Sequence, residues 1–211
     1  MHQIEREKKV IQVDFSGNAN DGCYRNDASI LFFAANSYKD AFAVISQELD
    51  RRFEADCRVK DIEHLILPYY FNFRHYVELE LKALIVVLSG DSPKLSHKLG
   101  ELVENFSNLI DEVKHDPTDR FHTVEDFEKE RKVVKDLSYN LKKRIHQYMA
   151  LEYADEYYRY IFEQEKHALA LKNDTIELDY INTNKLFYDI LQLFVDIRLA
   201  LRSIVYIYFN L

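Results

Sequence analysis

The sequence predicts an all-α protein, a bundle of about five helices carrying a small β-hairpin excursion. Three observations lead there. The 211 residues include only 4 Gly and 3 Pro, against about 7% and 5% in ordinary proteins, so residues that make tight turns are scarce. Apolar side chains recur at spacings of three and four over long stretches, which is the period of an amphipathic helix. The breakers that do occur gather at 16–22, 90–93 and 116–117, between those stretches.

Residues 1–27 are polar and include Ser16-Gly17-Asn18-Ala19-Asn20-Asp21-Gly22. They read as an arm, with a short strand at Val10–Phe15. Residues 28–211 read as one helical domain. Its first helix spans Ala28–Phe53, with Leu31, Phe32, Ala35, Tyr38, Phe42, Ile45 and Leu49 on one face. A second helix is expected over Asp61–Ser89, with Pro68 kinking it or marking its start. Ala83–Leu88 is apolar all round and belongs at the centre of a bundle. After Gly90, Ser92 and Pro93 have the chemistry of an N-cap and first helical position for a third helix, which carries Leu95, Leu99, Leu102, Val103, Phe106, Leu109 and Ile110. His115-Asp116-Pro117 stops it. A charged helical segment follows over about 124–154. Tyr157–Phe162 and His167–Lys172 alternate as a short hairpin would, with Ile176–Tyr180 as an extension. The last helix spans Asn184–Asn210.

Composition excludes several classes of function. Gly17, Gly22, Gly90 and Gly100 are too scattered for a phosphate-binding glycine loop. Cys23 and Cys57 cannot make a disulfide framework or a Cys-rich zinc site, and they suit a reducing, cytoplasmic setting. The formal charge of −8 argues against a broad basic surface for nucleic acid but leaves room for a local cleft. Met1–Lys9 lacks the apolar stretch of a signal peptide. No run reaches the roughly 20 apolar residues that span a bilayer, so no membrane partner is expected. No His-Glu-x-x-His, Gly-x-Ser-x-Gly or Cys-x-x-Cys occurs, and neither metal nor cofactor is expected.

One stretch carries a family signal. Pro68-Tyr-Tyr-Phe-Asn-Phe-Arg74-His75-Tyr-Val-Glu78-Leu-Glu-Leu-Lys82-Ala-Leu84, followed by His97-Lys98-Leu99-Gly100-Glu101-Leu102, resembles HEPN-like proteins. The resemblance runs from Pro68 to Leu102, with a looser similarity over Tyr160–Asp189, and it makes the charged segment at 124–154 an insertion. It implies a helical bundle, a setting in prokaryotic defence, abortive infection or toxin–antitoxin systems, and homodimerisation. Some members are metal-independent ribonucleases; others only bind or scaffold. Catalytic members carry Arg, four to six residues, then His. The match here is Arg58-Val-Lys-Asp-Ile-Glu-His64, with apolar Val59 where the family has a polar residue.

Arg74, Glu78 and Lys82 fall at i, i+4 and i+8 and form one stripe on an otherwise apolar helix. Two readings follow. The stripe is an intrahelical ion ladder that sets register and caps the neighbouring helix, or it is a polar pocket in which Arg74 holds a phosphate and His97 moves a proton. Glu112-Val-Lys-His115 has a spacing that di-iron bundles use, but those need two copies and two further glutamates. Tyr148, Tyr153, Tyr157, Tyr158 and Tyr160, interleaved with Arg159 and Lys166, suit base stacking or a protein interface. Lys142, Lys143 and Arg144 form the best basic patch for RNA. The apolar tail Ile204–Phe209 suits docking into the core or against a second copy. Two functions are therefore expected: an RNA-directed effector with Arg74, His97 and the Arg58/His64 pair lining a cleft, or a non-catalytic protein acting through protein–protein contacts.

Overall fold

Helix α1 (Tyr24–Glu54) leads through a 3-10 turn at Val59–Asp61 into α2 (Glu63–Ser89). Helices α3 (Leu99–Glu112), α4 (Val124–Met149) and α5 (Tyr180–Ile204) follow. The structure is a computed structural model, and it describes residues 24–55, 57–90, 96–114, 123–151 and 179–204. Among the described residues all regular structure is helical. Among the described residues the all-α bundle of about five helices expected from the spacing of apolar residues is present.

Helix α2 is the axis of the bundle. Every residue from Leu81 to Val87 is buried, as its all-round apolar composition requires. Helix α1 packs antiparallel to it, with Phe42 against Tyr69 and Phe73 at ring-centroid distances of 5.0 and 5.4 Å. Helix α5 runs parallel to α2: Phe187 lies flat on Phe73 at 3.7 Å, and further along Phe194 meets Tyr76 edge-on. Tyr148 of α4 closes this cluster edge-on to Phe73 and Phe187. One aromatic core thus joins four helices, which explains much of the chain's Phe and Tyr content.

Helices α3 and α4 form an antiparallel pair in fixed register. Asp111 meets Lys135, Ser107 meets Ser138 at 3.0 Å, and Glu104 meets Lys142, while Met149 lies against Gly100. The charged segment is therefore a wall of the bundle, burying Phe127, Val134, Leu141, Ile145 and Tyr148. Thr123 caps it: its hydroxyl oxygen accepts the Asp126 N–H and its hydroxyl donates to Asp126 Oδ2.

Several boundaries differ from expectation, each for a local reason. Helix α1 begins at Tyr24, so residues 24–27 belong to it and not to the arm. Helix α2 runs through Pro68, whose carbonyl accepts a bond from Asn72 Nδ2. It ends at Gly90, which takes φ 70° and returns its N–H to the Val86 carbonyl, a left-handed turn that glycine tolerates best. Helix α3 starts at Leu99, later than a cap at Ser92 would set it, because residues 96–98 are not helical. Helix α4 ends at Met149, before the expected 154. Tyr180 opens α5 where an extension of the hairpin was expected; Asp179 Oδ1 accepts the Asn182 N–H and starts the helix there. The strand at 10–15, the hairpin at 157–172, Ser92, Pro93 and the tail beyond Ile204 lie outside the described residues.

The α1/α2/α5 seam contains a buried ion pair. Glu80 is fully buried, and both its oxygens accept from Arg198, through Nε and Nη2. The Arg198 guanidinium also lies over Phe32, 4.2 Å from the ring centroid. Burial pushes the Glu80 carboxyl above its ordinary range, against the pull of Arg198. Removing one partner of such a pair leaves an uncompensated buried charge. Arg198→Ala is accordingly expected to lower stability by about 3–5 kcal/mol in urea denaturation, whereas the double change Glu80→Leu/Arg198→Leu recovers most of it. Equal losses in the single and double variants would mean that the pair is not what holds the seam.

Candidate functional site

The site forms where residues 96–98 dock back onto α2, about two to four turns before that helix ends. Arg74, Glu78 and Lys82 share one face of α2, and all three are buried. Glu78 is the common acceptor. Its Oε2 takes a bond from Arg74 Nη1 at 2.9 Å, and its Oε1 takes one from Lys82 Nζ at 2.9 Å. His97 Nδ1 lies 2.7 Å from the same Oε1. Arg74 Nη2 donates to the His97 carbonyl at 3.1 Å.

Donor logic assigns the tautomer. A carboxylate only accepts, so His97 Nδ1 carries the hydrogen and donates to Glu78, and its 3.4 Å approach to Lys82 Nζ is a contact between two donors. That leaves Nε2 as the basic nitrogen of the neutral ring. The His97 side chain is 66% exposed while Glu78 is 7% exposed. A buried carboxylate thus orients an exposed imidazole.

Burial works against the charged form of Glu78. The hydrogen bonds from Lys82 and His97, with the charges of Lys82 and Arg74, outweigh it and hold the carboxyl below its ordinary value. Arg74 is 4% exposed and engaged on both sides. It holds the chain entering α3 and does not face solvent as a phosphate-binding arginine would. The stripe therefore acts as an ion ladder that anchors the chain entering the neighbouring helix, with His97 added to it. The same bond explains the late start of α3. The His97 carbonyl is committed to Arg74, and the Lys98 N–H to Ser96 Oγ, so neither enters a helical turn.

The other candidates are elsewhere. Arg58 is 84% exposed and paired with Asp61 at 3.4 Å, and His64 is exposed in the first turn of α2. Ten residues of helix put His64 about 15 Å along the axis from Arg74, so the two pairs do not form one cleft. Lys142 binds Glu104 at 2.7 Å, Arg144 binds Asp189 at 3.1 Å, and Lys143 is exposed between them. Of the tyrosine cluster only Tyr148 is described, and it is core. Glu112 ends α3, and His115 lies outside the described residues. Among the described residues no group of three or more His, Cys, Asp or Glu could hold a metal ion. Among the described residues no helix is long and apolar enough to cross a membrane.

Sequence reasoning missed two polar clusters. One is Glu80–Arg198. The other joins α1, α2 and α5: Asn184 Oδ1 accepts from Ser46 Oγ (3.0 Å) and Tyr69 OH (2.9 Å), and Tyr180 OH donates to Asp50 (2.8 Å). Burial raises the pKa of both phenols and keeps them protonated as donors. Comparison with protein-family models, with curated proteins and with solved structures finds no match to the chain.

Because the folded-state pKa of Glu78 lies below its reference of 4.5, its carboxylate stabilises the fold fully above that pH. The contribution is lost as pH falls through the folded value. Glu80 has the opposite sign, so the test compares variants. Glu78→Gln is expected to lower stability by about 3–5 kcal/mol at pH 7, a gap that narrows below pH 4.5. A gap constant from pH 7 to pH 3 would exclude the charge of Glu78 as its source.

Proposed function

We propose that this chain is a HEPN-like, metal-independent RNA-directed effector of a prokaryotic defence or toxin-like system, working in the cytoplasm as a homodimer. The observation that carries the reading is the Glu78–His97 pair, with its buried carboxylate, fixed tautomer and exposed imidazole. This is the geometry of a general base oriented by a carboxylate. In the proposed reaction His97 Nε2 takes the proton of a ribose 2′-hydroxyl, the 2′-oxygen bonds to phosphorus, and the 5′-oxygen departs with a proton from water. Arg74 and Lys82 are positioning residues: they hold Glu78 and the backbone of His97 without touching substrate.

His97→Ala is expected to reduce RNA cleavage in EDTA by about 10²–10⁴-fold. Arg58→Ala and His64→Ala are expected to leave it within about two-fold, and circular dichroism reports whether each variant folds. Absence of cleavage by the native chain, or full activity in the His97 variant, overturns the reading.

A non-catalytic interaction protein is the second reading, and α5 favours it. Ile181, Tyr188, Val195 and Leu199 recur along one side of that helix with exposures of 79%, 43%, 46% and 56%. A stripe of this kind commonly marks a contact surface. The same stripe suits the proposed homodimer. Val195→Asp and Leu199→Asp are expected to halve the mass measured by light scattering; a native chain that is monomeric at high concentration removes the dimer.

A further inference from the structure

The outward face of α4 carries a second constellation. Tyr139, Lys142, Lys143, His146, Gln147 and Ala150 line a shallow depression of about 470 Å³. Their spacing of three and four puts them on one strip of the helix. Tyr139 is 70% exposed. Lys142 is tied to Glu104, and Gln147 accepts a bond from Arg144. Among the described residues the side chains of Tyr139, Lys143 and His146 form no hydrogen bond or ion pair. Asp136, one turn before Tyr139, ends the strip with a negative charge.

We infer that this strip binds a short run of single-stranded RNA, with a base stacked on Tyr139 and the adjoining phosphates at Lys143 and His146. The inference deepens the proposed RNA-directed reading and rests on it. Three features favour this ligand. An exposed aromatic ring followed at i+4 and i+7 by unengaged cationic or imidazole groups is the pairing that single strands use, stacking plus local charge. The strip from Tyr139 to Ala150 is about 16 Å long, too short for a duplex reader that spans successive grooves. The strip ends at Ala150; its neighbour Met149, on the adjoining face of α4, packs on the start of α3, with Cε 3.4 Å from where a Cβ on Gly100 would stand, three residues after His97. A chain with net charge −8 has no broad field to capture RNA, so a local strip has to do it.

The test is fluorescence anisotropy of a labelled twelve-nucleotide oligouridylate with the full chain, run beside a cleavage assay. Tyr139→Ala and Lys143→Glu are each expected to weaken binding about 5- to 50-fold. Both positions are exposed, so folding should be unaffected. One phosphate neutralised by Lys143 predicts a shallow log–log salt dependence, with slope about −0.7. An RNA duplex of equal length should bind at least ten times more weakly. His97→Ala should bind like the native chain, which separates capture from chemistry. Native affinity in both strip variants overturns the inference, and cleavage lost only in His97→Ala would then leave the effector reading standing. Binding that depends on the strip, with no cleavage by the native chain, keeps the inference and removes the effector reading. Competition by polyglutamate, with no effect of Tyr139→Ala, would make the strip an acidic-peptide site and overturn the RNA assignment.

Discussion

Helix α2 lies at the centre of the bundle yet carries Arg74, Glu78, Glu80 and Lys82, all buried. An ion removed from water must find its counter-charge within the protein. That constraint governs the architecture around α2. On one face Glu78 gathers Arg74, Lys82 and His97, and doing so fixes where the chain re-enters the bundle after α2. On another, Glu80 draws Arg198 of α5 into the seam beside Phe32. The aromatic core joining Phe42, Phe73, Tyr148 and Phe187 supplies the bulk of the burial, but it has no direction. The ions fix where the chain enters α3 and how α5 lies along α2.

The two glutamates sit two positions apart and are shifted in opposite directions. Burial disfavours both charges. Glu78 has three donors and a carboxyl held low, while Glu80 has a single arginine and a carboxyl pushed high. The difference is one of function in the broad sense. Glu80 closes a seam and reaches no solvent. Glu78 is buried but touches an imidazole that does, so its fixed charge is communicated to the surface through His97. A lone surface histidine has freedom that this one has lost at Nδ1.

Much of this was legible in the sequence, and the remainder was hidden for identifiable reasons. Helices with an apolar face at three-and-four spacing, such as α1 and α2, emerge from periodicity because burial imposes the period. The ladder Arg74–Glu78–Lys82 emerges because its members are four apart on one helix. Glu80–Arg198 does not, because its partners are 118 residues apart and only the packing of α5 along α2 brings them together. The non-helical stretch at 96–98 does not emerge, because the Arg74 bond to the His97 carbonyl comes from another helix and leaves no local signal. The basic run Lys142-Lys143-Arg144 looks like one patch in sequence. On a helix, consecutive residues point about 100° apart, so two of the three turn to acids on α3 and α5.

That splitting bears on the proposed chemistry. Had all three cations faced solvent together, the simplest account would be broad phosphate binding by a basic surface. With Lys142 and Arg144 each paired to an acid in a half-exposed bridge, only Lys143 remains unpaired from the run, and its neighbours on the strip include an aromatic ring and an imidazole. Such a surface attracts RNA weakly at a distance and relies on contact once the strand arrives. The Glu78–His97 pair has the same character: it creates no large field, and it places one basic nitrogen in a fixed orientation. On the proposed reading, the acidic balance of the chain confines selectivity and chemistry to short-range geometry. Long structured RNA would then be a poor substrate, and an accessible single strand a good one.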